Sequence, residues 1–282
     1  MPGLRLLNHI RLFPKWALCA RLVGSELWVG SMAGEIVALN LELEELRRWQ
    51  AHDGAVNGIL SDGTTYGGDG LVKDRKGHPL ARPCKKPVTK VQRFGDQLLV
   101  GTYERALYID GQKYPKIAAW HVLADGRLAL VRQTGPKAGD LGPLELDGIP
   151  IAAPAWSLGP GRDPNTLRAY LKSGAFVELT LSEASPKERV IPSDFRKAEI
   201  VSRDTPGQHL PWTDPQGPPT VVSSDACDYF IGNHHIHRVT DGKITDTLRL
   251  PTKGLYGGAL LPSGSLVIAA ADGNLKVIDL AA

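Results

Sequence analysis

Ala17-Leu18-Cys19-Ala20-Arg21-Leu22-Val23-Gly24-Ser25-Glu26-Leu27-Trp28-Val29-Gly30-Ser31-Met32-Ala33-Gly34-Glu35-Ile36-Val37-Ala38-Leu39-Asn40 holds three short apolar runs separated by two small-residue turns. Gly24-Ser25 ends the run from Ala17 to Val23, and Met32-Ala33-Gly34 ends the run from Glu26 to Ser31. Glu35 to Asn40 is the third run, and Glu44 to Gln50 is a more polar fourth. Strands of this length between Gly turns read as an antiparallel meander. The second run is expected to be the more buried. The fourth mixes charges with Leu46 and Trp49, as a half-exposed outer strand does.

Working outward, the same punctuation recurs roughly every forty residues. A Pro- or Lys-bearing loop opens each unit: Phe13-Pro14-Lys15-Trp16, Ala51-His52-Asp53-Gly54, Cys84-Lys85-Lys86-Pro87 and Tyr114-Pro115-Lys116. The series continues with Asp147-Gly148-Ile149-Pro150, Ile191-Pro192-Ser193-Asp194 and Leu250-Pro251-Thr252-Lys253. The first inner turn returns as Ser61-Asp62-Gly63, Phe94-Gly95-Asp96, Ala124-Asp125-Gly126, Gly159-Pro160-Gly161 and Pro262-Ser263-Gly264. The second returns as Gly68-Asp69-Gly70, Lys172-Ser173-Gly174 and Ala271-Asp272-Gly273. Asp-Gly and Ser-Gly pairs supply the positive φ that tight hairpins need.

A period of this size with several strands per unit predicts a propeller or a solenoid. The last unit has three runs, Leu255 to Leu261, Ser265 to Ala270 and Asn274 to Leu280, and a spare strand, Arg5 to Phe13, precedes the first. We therefore expect an all-β fold, a single β-propeller over residues 1–282. Seven blades are favoured over six or eight, the ring being closed by the N-terminal strand pairing with the last blade. Unit three, from about Val88 to Ile117, is short. Unit four gives no outer strands across Thr134 to Gly142. An insertion rich in Pro, Gly and Asp, about 204–219, is expected in the sixth blade.

Leu27 to Asn40 resembles the quinoprotein-like propeller repeat. Val267 to Leu280 resembles that repeat and a WD40 repeat equally. Ala51-His52-Asp53-Gly54-Ala55-Val56-Asn57-Gly58 is similar to the opening of a WD40 repeat, with Asp69 where that family often carries a turn Asp. The Trp-Asp dipeptide that ends many WD40 strands is absent. The resemblance implies a platform with a central channel, whose partners dock on the rim or on the face carrying the turns between blades. Fold by itself does not set function.

Composition is that of a soluble globular chain, with 42% hydrophobic and 22% charged residues and a net charge of +3. No apolar stretch is long enough for a membrane span, and Met1 to His9 lacks the apolar core of a secretory signal, so a cytoplasmic location is expected. Cys19, Cys84 and Cys227 are too far apart for a short-spaced metal motif and read as free thiols.

Four features carry candidate chemistry. His234-His235-Ile236-His237 would place His235 and His237 on one strand face, two ligands where a zinc site needs a full set, so no metal is assigned. Lys73, Arg75, Lys76, Arg82, Lys85, Lys86, Lys90 and Arg93 stand against Asp74 alone, a stretch able to neutralise phosphates or to serve as a solvated rim. No aromatic residue interleaves it, which disfavours single-strand stacking. The insertion carries His209, Trp212 and Asp214, with Trp212 as a potential interface anchor. Trp16, Tyr103, Glu104, Arg105, Asn233, His234, Lys253 and Tyr256 fall in turns expected on one face, where mixed aromatic and charged tips suit protein recognition.

Gly-x-Ser-x-Gly, His-Glu-x-x-His and Walker-type motifs are absent. The favoured function is a non-catalytic protein-interaction scaffold with no cofactor and with a protein partner. One alternative is a propeller hydrolase or lyase with a channel cation on carboxylates such as Asp69, Glu104 and Asp272. Another is nucleic-acid binding through residues 73–93.

Overall fold

The computed structural model describes residues 3–181, 207–210, 219–252 and 254–280, the second of these as backbone. Its regular structure is entirely β, and no helix occurs among the described residues. β1 (Arg5–Arg11) is followed by a sheet of β2 (Ala17–Val23), β3 (Glu26–Ser31), β4 (Glu35–Leu39) and β5 (Glu45–Gln50). The second sheet is β6 (Val56–Ile59), β7 (Thr65–Gly67), β8 (Val72–Lys73) and β9 (Pro79–Ala81). The third is β10 (Val88–Phe94), β11 (Gln97–Thr102), β12 (Ala106–Ile109) and β13 (Gln112–Pro115). The fourth is β14 (Ile117–Val122), β15 (Leu128–Gln133), β16 (Leu141–Leu146) and β17 (Ile149–Ala152).

The fifth comprises β18 (Ala155–Pro160), β19 (Thr166–Leu171), β20 (Phe176–Thr180) and β21 (Gly207–Leu210). The sixth comprises β22 (Thr220–Ser223), β23 (Asp228–Ile231), β24 (His235–Thr240) and β25 (Lys243–Arg249). β26 (Leu255–Leu260), β27 (Ser265–Ala270) and β28 (Asn274–Asp279) complete the chain, and β1 pairs antiparallel with β28 as the outer strand of this seventh sheet. The seven sheets are the blades of a propeller, and the N-terminal strand takes the place expected for it.

Two compact units divide the chain. One is Met1–Val91, Val100–Tyr103 and Pro219–Ala282; the other is Gln92–Leu99 and Glu104–Pro218. Within the first unit, alternation along a strand sends successive side chains to opposite faces of its sheet. Val29 and Val37 pack with Ala259, Val267 and Leu275 of the seventh sheet. Trp28, Ile36 and Ala38 pack with Val56 and Ile59 of the second. Tyr229, Ile231 and Ile236 meet Leu266, Ile268 and Ile278. In the other unit Leu107 and Ile109 pack with Trp120, Leu128 and Leu130, and Val131 and Leu144 pack with Leu167, Ala169 and Val177. Inner strands buried on both faces read as near-continuous apolar runs, which is why β3 is buried almost throughout while β5 is largely exposed.

Several expectations need correction. Asp147-Gly148 does not open a blade. It is the hairpin between β16 and β17, with φ of 50° and 82°, and the fifth sheet begins only after Pro154. The outer strands of unit four, unplaced from sequence, are β16 and β17. Gly159-Pro160 ends β18, and the chain reverses beyond it, where Gly161 N donates to Thr166 O. Of the stretch 204–219, Gly207–Leu210 pairs with β20 and so completes the fifth sheet rather than interrupting the sixth. The remainder, with Trp212 and Asp214, lies outside the described residues, as does the loop 191–194.

Candidate functional site

One backbone bond recurs from blade to blade and fixes the turns. The residue just before or within the entry to the first strand accepts, through its carbonyl, the N–H at the second inner turn. The pairs are Trp16 with Met32, Ala55 with Gly68, Pro87 with Tyr103, Lys116 with Gln133, Pro154 with Lys172 and Gly254 with Ala271, at 2.7–3.0 Å. Trp16 and Lys116 sit at this position with φ of 57° and 61°, in the left-handed region, and Gly254 with 71°. A bulky residue at positive φ is an outlier held by its surroundings.

This frame brings Trp16 onto Tyr256, with ring centroids 6.0 Å apart and planes inclined by 29°. Trp16 is 39% exposed and Met32, bonded to its carbonyl, is 54% exposed. Asn233 joins from the sixth sheet, its Oδ1 accepting Gly254 N at 2.7 Å. Of the expected turn set, the structure therefore assembles Trp16, Tyr256 and Asn233 on the first unit and adds Met32, which the sequence reading missed. Tyr103 is in the same unit at the matching turn of the third sheet and is 75% exposed. His234 packs edge-on to His235 at 6.3 Å, and its carbonyl accepts Leu250 N. Glu104 and Arg105 belong to the other unit, where Glu104 takes Tyr108 Oη and Lys113 Nζ and Arg105 donates to Ala138 O. Lys253 lies outside the described residues.

Only part of the basic stretch lines one groove. Arg82, Lys85, Lys86 and Arg93 are exposed, and Lys90 is half-buried with its amine pushed down to about 7 by burial. Lys73, Arg75 and Lys76 flank a groove of about 390 Å³ shared with Arg47, Arg48 and Trp49 of β5. Trp28 and Trp49 meet edge to face at 5.0 Å, and the Arg47 guanidinium lies 5.8 and 5.4 Å from their ring centres. Glu26 receives both Arg47 Nη atoms at 2.6 Å and Trp28 Nε1 at 2.8 Å. The Arg47 hydrogen bonds hold the Glu26 carboxyl below its usual range. Sequence reading passed over Trp28, Arg47 and Glu26. The only signal was the spacing of Arg47 and Trp49, two apart on one face of an outer strand.

Buried beneath this groove, His52 Nδ1 lies 2.9 and 3.1 Å from the Asp69 carboxylate oxygens, and His52 Nε2 lies 3.0 Å from Thr65 Oγ1. The connectivity imitates a hydroxyl–imidazole–carboxylate triad. Access is narrow: His52 is 1% and Thr65 4% exposed, Thr65 lining the floor of the groove with little of its surface open. Asp69 also accepts Asp53 N and Leu71 N. The arrangement clamps the loop entering the second blade to β7 and to the turn after it. His52 and Asp69 are the residues on which this unit resembles a WD40 repeat. In the seventh sheet Asp272 plays a similar part, accepting Lys276 Nζ at 2.7 Å, Thr252 Oγ1 at 3.2 Å and Asn274 N.

His235 and His237 share a face as expected, stacked at 5.5 Å, and His237 Nδ1 lies 2.8 Å from Thr247 Oγ1. Among the described residues no group of three or more His, Cys, Asp or Glu is placed to hold a metal ion. Cys19, Cys84 and Cys227 are free thiols, and burial pushes Cys19 up to about 12.

No protein-family model matches the chain, and no curated protein does. Among solved structures it is similar to the β-propeller domain of Cps50 (Swd1) from Myceliophteria thermophila, with a TM-score of 0.69 over 99% of this chain and 100% of that one. The chain is a β-propeller. At 14% identity the likeness extends to the fold alone. No helix long and apolar enough to cross a membrane occurs among the propeller's described residues.

Proposed function

We propose that the propeller is a non-catalytic protein-interaction scaffold acting in the cytoplasm, with the Trp16–Tyr256 pair as the anchor of its partner site. The observation that carries the reading is a tryptophan kept at φ 57° with its ring exposed and stacked. The left-handed conformation costs about 1–2 kcal/mol for a residue with a Cβ, a cost the fold would avoid with glycine. Trp16 keeps 39% of its surface exposed, and a rigid aromatic anchor of this kind loses little freedom on binding. Free thiols at Cys19, Cys84 and Cys227 accord with a reducing compartment.

Trp16→Ala leaves the backbone strain unchanged and removes the ring. In a quantitative capture from the native cell extract, the partner retained by wild type should bind Trp16→Ala and Tyr256→Ala at least tenfold more weakly, with melting temperatures preserved. Undiminished capture by both variants would remove the pair from the interface and the reading with it.

A further inference from the structure

The groove between the first two blades has a chemistry of its own. Its cations fall into two classes. Arg47 is committed, with both Nη atoms on Glu26 and its plane over two indoles. Arg48 is committed as well, with Nε and Nη2 on Glu45 and Nη1 on Leu12 O. These two shape the wall. At the other side, Arg75 reaches Glu26 only at 3.9 Å. Lys73 uses one donor, toward Ala51 O at 2.5 Å, and an ammonium has three. Lys76 forms no ion pair among the described residues and is exposed. The turn that carries Arg75 and Lys76 is itself pinned, since Asp74 Oδ1 accepts Lys76 N and His78 N. Cationic groups with spare donors thus stand on a fixed turn beside β5, which has no partner strand on its outer side. The volume of about 390 Å³ lies in the range of about 300–1,000 Å³ usual for ligand sites.

We infer that this groove binds an acidic peptide segment of a partner protein, a side-chain carboxylate being held between Arg75 and Lys76. The inference rests on the scaffold reading only in taking the partner to be a protein; the surface is separate from Trp16 and Tyr256. Charge complementarity selects the anion. Two features select a peptide over a nucleic acid. Arg47 lies over both indoles and Arg75 lies 5.8 Å from the Trp28 ring centre, so a stacking base would compete with these guanidiniums. Glu26, Glu45 and Asp74 interrupt the cations, and a continuous phosphate backbone would meet them, whereas spaced carboxylates need not.

The test uses the full chain and a fluorescein-labelled octapeptide of alternating glutamate and serine, read by anisotropy and by quenching of tryptophan fluorescence. Arg75→Glu/Lys76→Glu is compared with Lys85→Glu/Lys86→Glu, which makes the same charge change outside the groove. Wild type is expected to bind. The groove variant should lose at least tenfold in affinity, the control no more than about twofold, and Lys76→Glu alone, on an exposed side chain that supports no packing, should lose several-fold. Equal losses in the two double variants would mean a diffuse field and would overturn the inference, as would absence of binding by wild type. Displacement of the peptide by a more tightly held oligothymidylate would also overturn it, in favour of nucleic acid. Partner capture through Trp16 is unaffected by any of these outcomes, so the two readings fail separately.

Discussion

Gly34→Ala is expected to destabilise the protein by about 2–5 kcal/mol, from a left-handed backbone plus overpacking against an immobile neighbour. Gly34 has φ of 91°, and a Cβ there would fall far inside contact distance of the His52 carbonyl oxygen and 2.7 Å from the Gly54 oxygen. Neither neighbour is free to retreat. Gly34 O accepts both Ala51 N at 2.9 Å and His52 N at 3.1 Å, so the loop into the second blade is laced to the turn it would have to leave. The control is Gly24→Ala, whose φ of 64° carries the conformational cost with nothing within 4 Å of the new methyl. Urea unfolding should show a much lower midpoint for Gly34→Ala at an unchanged slope, and a modest shift for Gly24→Ala. Equal shifts would show that the inter-blade contact contributes nothing.

That contact also explains why the propeller was legible in the sequence. The second inner turn and the loop opening the next unit keep step because they touch. Gly273 O accepts Leu12 N and Phe13 N as Gly34 O accepts Ala51 N and His52 N, and Gly70 is crowded by Cys84 O and Lys86 O. A repeat whose punctuation is coupled in space shows coupled punctuation in sequence. The same signal misled at Asp147-Gly148, because a hairpin inside a blade and a loop between blades both ask for positive φ and small residues. Strand pairing decides between them, and single turns do not encode it.

The candidate surfaces were less legible, for a reason visible at Trp16 and Tyr256. Each reads as an ordinary turn residue, and their contact joins the first blade to the last, across almost the whole chain. The groove is a case of local pairing that periodicity hides. Trp28 pairs with Ala38, and Ala38 pairs with Arg47. A small residue between them lets the guanidinium reach across a strand to the indole and to Glu26. In the sequence Trp28 looks like core, Ala38 like core and Arg47 like rim, and only the register β3–β4–β5 puts them in one cluster.

Asp69→Ala tests what the buried triad is for, and the expected cost is about 1.5–3 kcal/mol, the scale for losing hydrogen bonds to a charged group. The side chain of Asp69 is 9% and that of His52 0% exposed. Burial lowers the His52 pKa, and the bond to Asp69 opposes that only in part. Burial alone would raise Asp69, but hydrogen bonds from Leu71 N, His52 and Asp53 N outweigh it and leave the carboxyl below its usual range. Both groups therefore bind fewer protons folded than unfolded, so stability rises with pH across their titrations. The contribution is present above the unfolded His value of about 6.5 and is lost as pH falls below it, then again through the acidic range as Asp69 is protonated. Without Asp69 the imidazole loses its counter-charge, so the loss just below pH 6.5 should steepen while the carboxylate step at lower pH disappears. Denaturant melts of wild type, Asp69→Ala and Thr65→Val between pH 4 and 7.5 measure both effects. A clamp predicts that Thr65→Val, which removes only the hydroxyl partner of a neutral imidazole, costs less than Asp69→Ala while keeping the pH dependence. If Asp69→Ala unfolded with wild-type stability, the clamp would be wrong, and the closed His52–Thr65 pair would have to be reconsidered as a site that opens.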